Sequence, residues 1–226
     1  MRDWMFVAPL LAKHYKVVTF DGRGAGKSPD PVGDVNCVED LKRLLVQLNI
    51  HRTTLIGHSM GGQIATDFSL EYPEYVSELI LIAPALSGFH YSSEFVKYMN
   101  KVSSAAPDID KMIEISQSAP SYRVVQTSPH KKLTEQMLRH HIERTFHWPD
   151  FELIWPKPPA AERLGELTAK TLLMVGTEEL PDNIRVADYF QKHSDAHIVE
   201  ILGADHMVTL THPKDLYRNI VNFIEG

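Results

Sequence analysis

The 226-residue sequence contains a single cysteine, Cys37, so no disulfide can form within the chain. A reducing compartment is therefore expected, and we predict a cytoplasmic protein. The sequence also lacks an excess of basic residues, since 23 Lys and Arg face 29 Asp and Glu and the net charge is −6. Because nucleic-acid binding needs a basic surface, this balance argues against a nucleic-acid partner.

Long apolar runs are missing as well. No stretch of about 18 apolar residues occurs, so the sequence predicts no membrane-spanning helix. The start of the chain carries Asp3, is interrupted by Pro9 and lacks a small-residue cleavage site, which favours an amphipathic first helix over a signal peptide. Internal repeats are also absent. The length suits one sizeable core, or one core with a modest insertion.

Short apolar segments alternate with helical patterns along most of the chain. Five segments rich in β-branched and apolar residues predict buried strands: Lys16–Phe20, Thr53–Ile56, Leu79–Ala83, Leu172–Val175 and Ile198–Leu202. Apolar periodicity and helix-bounding residues predict helices over Val38–Leu48, Gly61–Glu71, Asp182–Lys192 and Pro213–Ile224. This alternation is typical of the α/β class, with a mostly parallel sheet and helices on both faces.

The alternation is interrupted between Leu86 and about Pro159, where only helical or irregular patterns occur. We interpret this stretch as a helical lid inserted between two strands. The predicted organisation assigns residues 1–86 to the N-terminal part of the core, 87–160 to the lid and 161–226 to the C-terminal part of the core. The lid is rich in large apolar side chains, which either line a substrate pocket or seat the lid on the core: Phe89, Tyr91, Phe95, Tyr98, Met99, Phe146, Trp148 and Trp155.

The stretch Phe20–Pro31, FDGRGAGKSPDP, resembles a phosphate-binding loop in composition but not in spacing. A Walker A loop would need a glycine in place of Asp21, and a dinucleotide-binding loop would need one in place of Lys27. The prolines after Ser28 also prevent the helix start that would hold the phosphates. We therefore interpret the stretch as a turn-rich structural loop and predict no nucleotide cofactor. The histidines show no metal-binding spacing either.

The segment Gly57-His58-Ser59-Met60-Gly61-Gly62 lies between a predicted strand and a predicted helix. This is the Gly-x-Ser-x-Gly pattern in the setting that a nucleophile elbow requires. A tight turn lifts the serine hydroxyl clear of the sheet, and crowding by the adjoining strand and helix demands small residues two positions away on either side. We predict Ser59 as the nucleophile and the Met60 N–H as an oxyanion donor. The alternative is a glycine-rich helix entry with an inert serine.

A nucleophilic serine needs a base and a carboxylate that orients the base. His206 follows the last predicted strand and precedes the closing helix, which favours it among the 12 histidines. Three acids follow the strand at Leu172–Val175, and they place the orienting carboxylate at or near Glu179, with Asp182 as the second choice. Each acid has another reading, as a solvated loop carboxylate or, for Asp182, as a helix N-cap.

With these residues the sequence resembles the α/β-hydrolase superfamily, most of all its small lidded esterases and enol-lactonases. The loop Asp21–Ser28 matches the family pattern Asp-x-Arg-Gly-x-Gly-x-Ser, and Gly57–Gly62 and Gly203–Pro213 match as well. The resemblance implies that Ser59, His206 and Glu179 form a catalytic triad that needs no cofactor or metal. It also implies that Asp205 stands where glycine is usual.

The sequence departs from the family pattern at its front. Family members carry earlier strands and a His-Gly loop that supplies another oxyanion N–H, whereas no glycine precedes Gly22 here. We therefore expect an N-terminally truncated α/β-hydrolase fold, in which Lys16–Phe20 and Thr53–Ile56 either pair directly or leave a gap. The leading prediction is a hydrolase of a small-molecule carboxylic ester or lactone. The alternative is a non-catalytic, hydrolase-like ligand-binding protein or a degenerate paralogue. The sequence predicts neither the individual substrate nor the oligomeric state.

Overall fold

Four of the predicted strands form a parallel sheet in the computed structural model, which describes residues 2–226. The strands are β1 (Thr53–His58), β2 (Val76–Ile82), β3 (Lys170–Gly176) and β4 (His197–Ile201). They lie in the order β1–β2–β3–β4, so β1 and β4 form the two edges. All four carboxyl ends therefore meet at one edge of the sheet, where ligand sites of open parallel sheets lie.

Helices follow most of the strands, and the helix predicted over Pro213–Ile224 begins at Pro213 as expected. Asn36 caps the second helix by accepting hydrogen bonds from the N–H groups of Val38 and Glu39 at 3.1 and 3.0 Å. The helices are α1 (Ala8–Leu11), α2 (Cys37–Gln47), α3 (Met60–Glu71), α4 (Ser93–Ser103), α5 (Ile109–Gln117), α6 (Arg123–Thr127), α7 (Lys131–Thr145), α8 (Pro181–His193), α9 (Val208–Thr211) and α10 (Pro213–Glu225). Within residues 2–226, none of them combines the length and apolar character needed to cross a bilayer.

The sheet buries both of its faces, as the continuous apolar pattern of its strands predicts. On β2, Leu79 and Leu81 pack with the core that contains α3 and α8, whereas Ile80 and Ile82 pack with the core that contains α10. All four side chains have no exposed surface. Burial of such a side chain stabilises the fold by roughly 1.5–3 kcal/mol. The prediction of an α/β fold with helices on both faces is confirmed.

The predicted strand Lys16–Phe20 is wrong, because this segment forms no strand and pairs with none of the four. Val18 and Phe20 are 46% and 47% exposed, although both were expected to be buried. The β-branched composition favours an extended backbone, but a strand also needs a neighbour for its N–H and C=O groups. The sequence predicts that Lys16–Phe20 and Thr53–Ile56 either pair directly or leave a gap between them. The structure shows the gap, because the two segments do not pair.

The glycine-rich loop after this segment folds back on Asp21. The Lys27 N–H donates to the Asp21 carboxylate at 3.2 Å, and the Ser28 hydroxyl donates to the Asp21 carbonyl at 2.5 Å. Gly26 has a φ of 53°, and a Cβ there would lie 2.2 Å from the Asp21 carboxyl carbon. Arg144 of α7 donates to the carbonyl oxygens of Gly26 and Ser28 at 2.6 and 2.7 Å. The glycines therefore form a compact loop, and Arg144 of α7 holds this loop through hydrogen bonds to its backbone.

Between β2 and β3 the chain runs through α4, α5, α6 and α7. In this stretch the described residues form one isolated parallel bridge, which links Leu153 to Val35, and no strand of the sheet. At the front of the chain the expected first helix is short: a 3-10 turn spans Arg2–Trp4 and α1 follows. The lid boundaries at 87 and 160 stay a prediction.

Candidate active site

Ser59 lies in the bend between β1 and α3, with a φ of 52° and a ψ of −120°. A residue other than glycine rarely adopts such angles, and they cost on the order of 1–3 kcal/mol unless the surroundings enforce them. Here the Ser59 N–H donates to the Ile82 carbonyl at 3.0 Å, and its carbonyl accepts from the Gly62 and Ala85 N–H groups at 2.9 and 3.0 Å. The end of β2 and the start of α3 thus hold the bend from both sides.

The glycines around Ser59 do not all serve the same purpose. A Cβ on Gly57 would lie 2.3 Å from the Gly61 carbonyl oxygen, and one on Gly62 would lie 2.7 Å from the Cβ of Pro84. A Cβ on Gly61 would meet nothing within 4 Å. The expectation that crowding demands a small residue two positions on either side of the serine is therefore right for Gly57 and wrong for Gly61. On the helix side, the crowded position is Gly62.

Three residues predicted from the sequence come together beyond the carboxyl ends of the strands. His206 Nε2 lies 3.1 Å from the Ser59 hydroxyl oxygen, and His206 Nδ1 lies 2.7 Å from Glu179 Oε2. Ser59 follows β1, Glu179 follows β3 and His206 follows β4. A serine hydroxyl, an imidazole and a carboxylate in this order can relay a proton from the hydroxyl to the ring.

The Glu179 carboxyl is buried, with a side chain that has no exposed surface. Burial alone would raise its pKa, but the charge and hydrogen bond of His206 outweigh burial, with help from the Leu180 N–H and the Asn183 amide. The pKa of Glu179 consequently lies below its usual value. The group is thus a carboxylate at neutral pH and can stabilise a positive charge on His206.

Met60 begins α3, and the residue is 45% exposed. Among the described residues, the Met60 N–H has no protein acceptor, as expected for the first N–H of a helix. The partial positive charge at a helix N-terminus favours a negative group at this position. The backbone beside Ser59 can therefore hold an anionic oxygen.

The other acids of the loop after β3 lie away from His206. Asp182 accepts hydrogen bonds from the Ser92 N–H and hydroxyl at 2.7 and 2.6 Å, and Arg185 donates to it at 2.8 Å. Glu178 forms an ion pair with Arg123. Asp182 thus joins the insertion to α8, and Glu178 lies in a surface ion pair.

A second histidine–carboxylate pair lies beside the first and was missed by the sequence analysis. His58 Nδ1 lies 2.9 Å from Asp3 Oδ2, and His58 Nε2 lies 2.8 Å from the carbonyl oxygen of His206. The rings of His58 and His206 have centroids 4.9 Å apart. No local pattern reveals this pair, because 55 residues separate its members.

Asp205 forms a hydrogen bond with α6, one of the helices between β2 and β3. Its buried carboxylate accepts hydrogen bonds from the Val125 and Met207 N–H groups at 2.7 and 3.2 Å. The backbone N–H of His206 donates to the Ser121 carbonyl at 2.9 Å. This hydrogen bond adds a second link between the chain around α6 and the loop that carries His206. Asp205 therefore fixes α6 against the loop that carries His206.

A cavity of about 700 Å³ lies between the insertion and α3. Its lining includes Gln63, which lies one helical turn after Ser59 on α3, but it includes neither Ser59 nor His206. Of the large apolar residues predicted in the insertion, Phe89, Tyr91 and Trp155 line it. Trp148 instead donates to Asp30 at 3.2 Å and helps seat the insertion. Trp148 thus fits the reading in which these side chains seat the lid, whereas the substrate-pocket reading stays a prediction.

The geometry and fold are those of a known class. The model of the Alpha/beta hydrolase family matches residues 1–219, and the chain belongs to this family. Several related curated proteins are named as hydrolases. The sn-1-specific diacylglycerol lipase ABHD11 of Danio rerio is 26% identical over 93% of this chain and 69% of its own length. The 2-hydroxy-6-oxo-6-phenylhexa-2,4-dienoate hydrolase of Comamonas testosteroni is 30% identical over 76% of this chain and 64% of its own length.

Solved structures support the same fold. MGS-M2, an alpha/beta hydrolase enzyme from a Medee basin deep-sea metagenome library, superposes with a TM-score of 0.80 at 18% identity and covers 100% of this chain and 85% of its own. The meta-cleavage product hydrolase CumD of Pseudomonas fluorescens IP01 gives a TM-score of 0.74 at 20% identity, over 99% of this chain and 84% of its own. At these identities the likeness shows the fold alone.

Proposed function

We propose that this chain is a serine hydrolase that cleaves a small-molecule carboxylic ester or lactone. The observation that carries the proposal is the connected set of distances from Glu179 to His206, 2.7 Å, and from His206 to Ser59, 3.1 Å. Both lie in the range of hydrogen bonds that transfer or orient a proton. In this role Ser59 is the nucleophile, His206 the base and Glu179 the orienting acid.

The first half of the reaction forms an acyl-enzyme. The Ser59 oxygen attacks the substrate carbonyl carbon while its proton passes to His206 Nε2. The carbonyl oxygen becomes an oxyanion, to which the Met60 N–H donates. When the tetrahedral intermediate collapses, the carbon–oxygen bond to the alcohol breaks, and His206 returns its proton to the departing oxygen. A lactone follows the same steps, except that the alcohol stays tethered to the acyl group.

The second half releases the acid. A water molecule attacks the acyl carbon and gives a proton to His206, and the ester bond to Ser59 then breaks as the serine oxygen takes that proton back. Glu179 keeps the Nδ1 proton in place through both halves. Its lowered pKa means that the carboxylate is charged whenever His206 becomes positive.

Hydrolysis of a carbon–carbon bond beside a carbonyl is the second candidate, since it can use the same three residues. It is favoured by the 30% identity to the Comamonas testosteroni protein named 2-hydroxy-6-oxo-6-phenylhexa-2,4-dienoate hydrolase. The name of the Danio rerio relative, a diacylglycerol lipase, instead supports ester cleavage. The aromatic lining of the cavity suits an apolar group in either substrate.

Turnover of two probes separates these functions. p-Nitrophenyl butyrate reports ester cleavage, and a vinylogous diketone with a phenyl group reports carbon–carbon cleavage. We expect faster hydrolysis of the ester, with an initial burst of nitrophenol equal to the enzyme concentration if deacylation is slow. Ser59→Ala should abolish turnover of both. Turnover that survives in Ser59→Ala would refute the mechanism, and saturable binding of the ester by the wild type without turnover would support the ligand-binding alternative.

A further inference from the structure

The side chain of His58 faces a hydrogen-bond acceptor at each ring nitrogen. Nδ1 lies 2.9 Å from a carboxylate oxygen of Asp3, and Nε2 lies 2.8 Å from the backbone carbonyl oxygen of His206. Neutral imidazole has one N–H and can donate to only one acceptor, whereas imidazolium has two. Because the side chain is only 8% exposed, water cannot readily supply the missing donor. The geometry therefore favours a positively charged His58.

The surroundings of His58 support the charge. Burial opposes it, but the neighbouring Asp3 carboxylate, the two hydrogen bonds and the more distant Glu179 outweigh burial and raise the pKa of His58. The Thr209 hydroxyl donates to the second oxygen of Asp3 at 2.7 Å, which leaves that carboxylate purely an acceptor. The pKa of Asp3 is about 2, since its ion pair and hydrogen bonds outweigh its own burial. His206 is the other titratable group whose ring packs against His58.

The position of His58 links two parts of the site that come from distant parts of the sheet. His58 ends β1 and immediately precedes Ser59, whereas His206 follows β4, and β1 and β4 are the opposite edges of the sheet. The hydrogen bond from His58 to the His206 carbonyl joins the elbow directly to the histidine loop. The distance between the Ser59 oxygen and His206 Nε2 depends on how these two loops are fixed.

We propose that His58 is a positioning residue, which as an imidazolium paired with Asp3 donates to the His206 carbonyl and holds the histidine loop at the distance that proton transfer from Ser59 requires. This inference rests on the proposed function, since it assigns a role in the same site. A shift of about 1 Å between reacting groups costs on the order of 100-fold in rate, so a hydrogen bond that fixes this spacing affects activity.

Two variants of His58 separate positioning from mere support of the fold. His58→Met fills similar space without a donor, and His58→Gln restores an N–H donor without a charge. A fluorophosphonate probe measures the outcome as a maximal inactivation rate and a probe affinity. We expect the maximal rate to fall by about 10- to 100-fold in His58→Met with little change in affinity. We expect His58→Gln to recover most of that loss.

Tyr15→Phe is the matched control. It removes the 3.0 Å hydrogen bond from the Tyr15 hydroxyl to Glu225. Tyr15 lies in the same N-terminal part of the chain as Asp3, but this hydrogen bond involves neither His58 nor His206. All proteins are compared at a temperature at which circular dichroism shows them to be folded. The control should react at the wild-type rate. Equal losses in His58→Met and His58→Gln, or a loss in Tyr15→Phe as large as in His58→Met, would overturn the positioning role.

Nuclear magnetic resonance of the histidines tests the inference without any chemistry at Ser59. At pH 7 in Ser59→Ala we expect both ring nitrogens of His58 to carry protons, and the additional change His58→Met should shift the His206 carbonyl carbon upfield. A neutral His58, or an unmoved carbonyl resonance, would overturn the proposal. If the probe fails to label the folded wild type, the proposed function fails, whereas these spectra still decide the role of His58.

Discussion

The two histidine–carboxylate pairs of this protein differ in the group that lies beside Nε2 of the histidine ring. In both, a carboxylate lies close to Nδ1, at 2.7 Å for Glu179 and His206 and at 2.9 Å for Asp3 and His58. At Nε2, His206 meets the Ser59 hydroxyl, which can donate or accept, whereas His58 meets a carbonyl oxygen, which can only accept. Under the proposed function a neutral His206 takes the Ser59 proton, whereas the imidazolium proposed for His58 has no free position for a proton. The group beside Nε2, rather than the carboxylate, would then separate the proposed base from the proposed structural cation.

Buried carboxylates without a cation make a second contrast. Asp67 is 1% exposed, its Oδ1 accepts from the Ser87 hydroxyl at 2.7 Å, and its Oδ2 has no hydrogen-bond partner among the described residues. Burial raises its pKa to about 6, and burial also raises the pKa of Asp205. The pKa values of Glu179 and Asp3 are lowered instead. Burial acts to raise the pKa of all four carboxyl groups. In Glu179 and Asp3 the interaction with a histidine outweighs burial and lowers the pKa.

The largest expected effect comes from breaking the pair that serves Ser59. In Glu179→Gln the carboxamide cannot balance a positive charge on His206, so we expect kcat for p-nitrophenyl butyrate to fall by about 10³- to 10⁴-fold. Asp182→Asn is the control, since Asp182 contacts Ser92 and Arg185 rather than His206. A large loss in the control with little loss in Glu179→Gln would show that the acid is wrongly assigned.

A smaller effect should appear in stability against pH at Asp67. Because the folded state raises this pKa to about 6, folded protein keeps a proton that the unfolded chain, with a pKa near 3.8, has released. The contribution of Asp67 to the free energy of unfolding should therefore be largest below about pH 4 and decrease by up to about 3 kcal/mol as the pH rises through 6. Urea unfolding at several pH values measures this slope, which Asp67→Asn should remove. An unchanged slope would mean that Asp67 does not titrate in this range.

The smallest effect concerns Asp205, whose two oxygens accept from different N–H groups. In Asp205→Asn one oxygen becomes an NH₂ group that faces the Val125 or Met207 N–H, so one buried donor loses its acceptor. We expect the free energy of unfolding to fall by roughly 1–3 kcal/mol in urea titrations. Full stability in this variant would mean that the link between α6 and the histidine loop contributes little.

The sequence predicts features that depend on local patterns. The apolar strands β1 to β4 and the elbow at Ser59 are local, and the prediction of the fold from them is confirmed. Lys16–Phe20 has the same composition as a strand, but a strand also depends on a neighbour that no local pattern reveals. The three acids after β3 predict an orienting carboxylate at or near Glu179, and the family resemblance favours Glu179 itself. The contact of Asp3 with His58 joins positions 55 residues apart, and no spacing rule covers it.

The central claim is that Ser59 is a nucleophile activated by His206, and covalent labelling tests it most directly. A fluorophosphonate probe followed by intact mass measurement and peptide mapping should add one phosphonyl group to the folded wild type, on Ser59. Ser59→Ala should gain no mass, and His206→Gln should react at least about 10³-fold more slowly. A folded wild type that gains no mass, or that carries the group on another residue, would contradict the account.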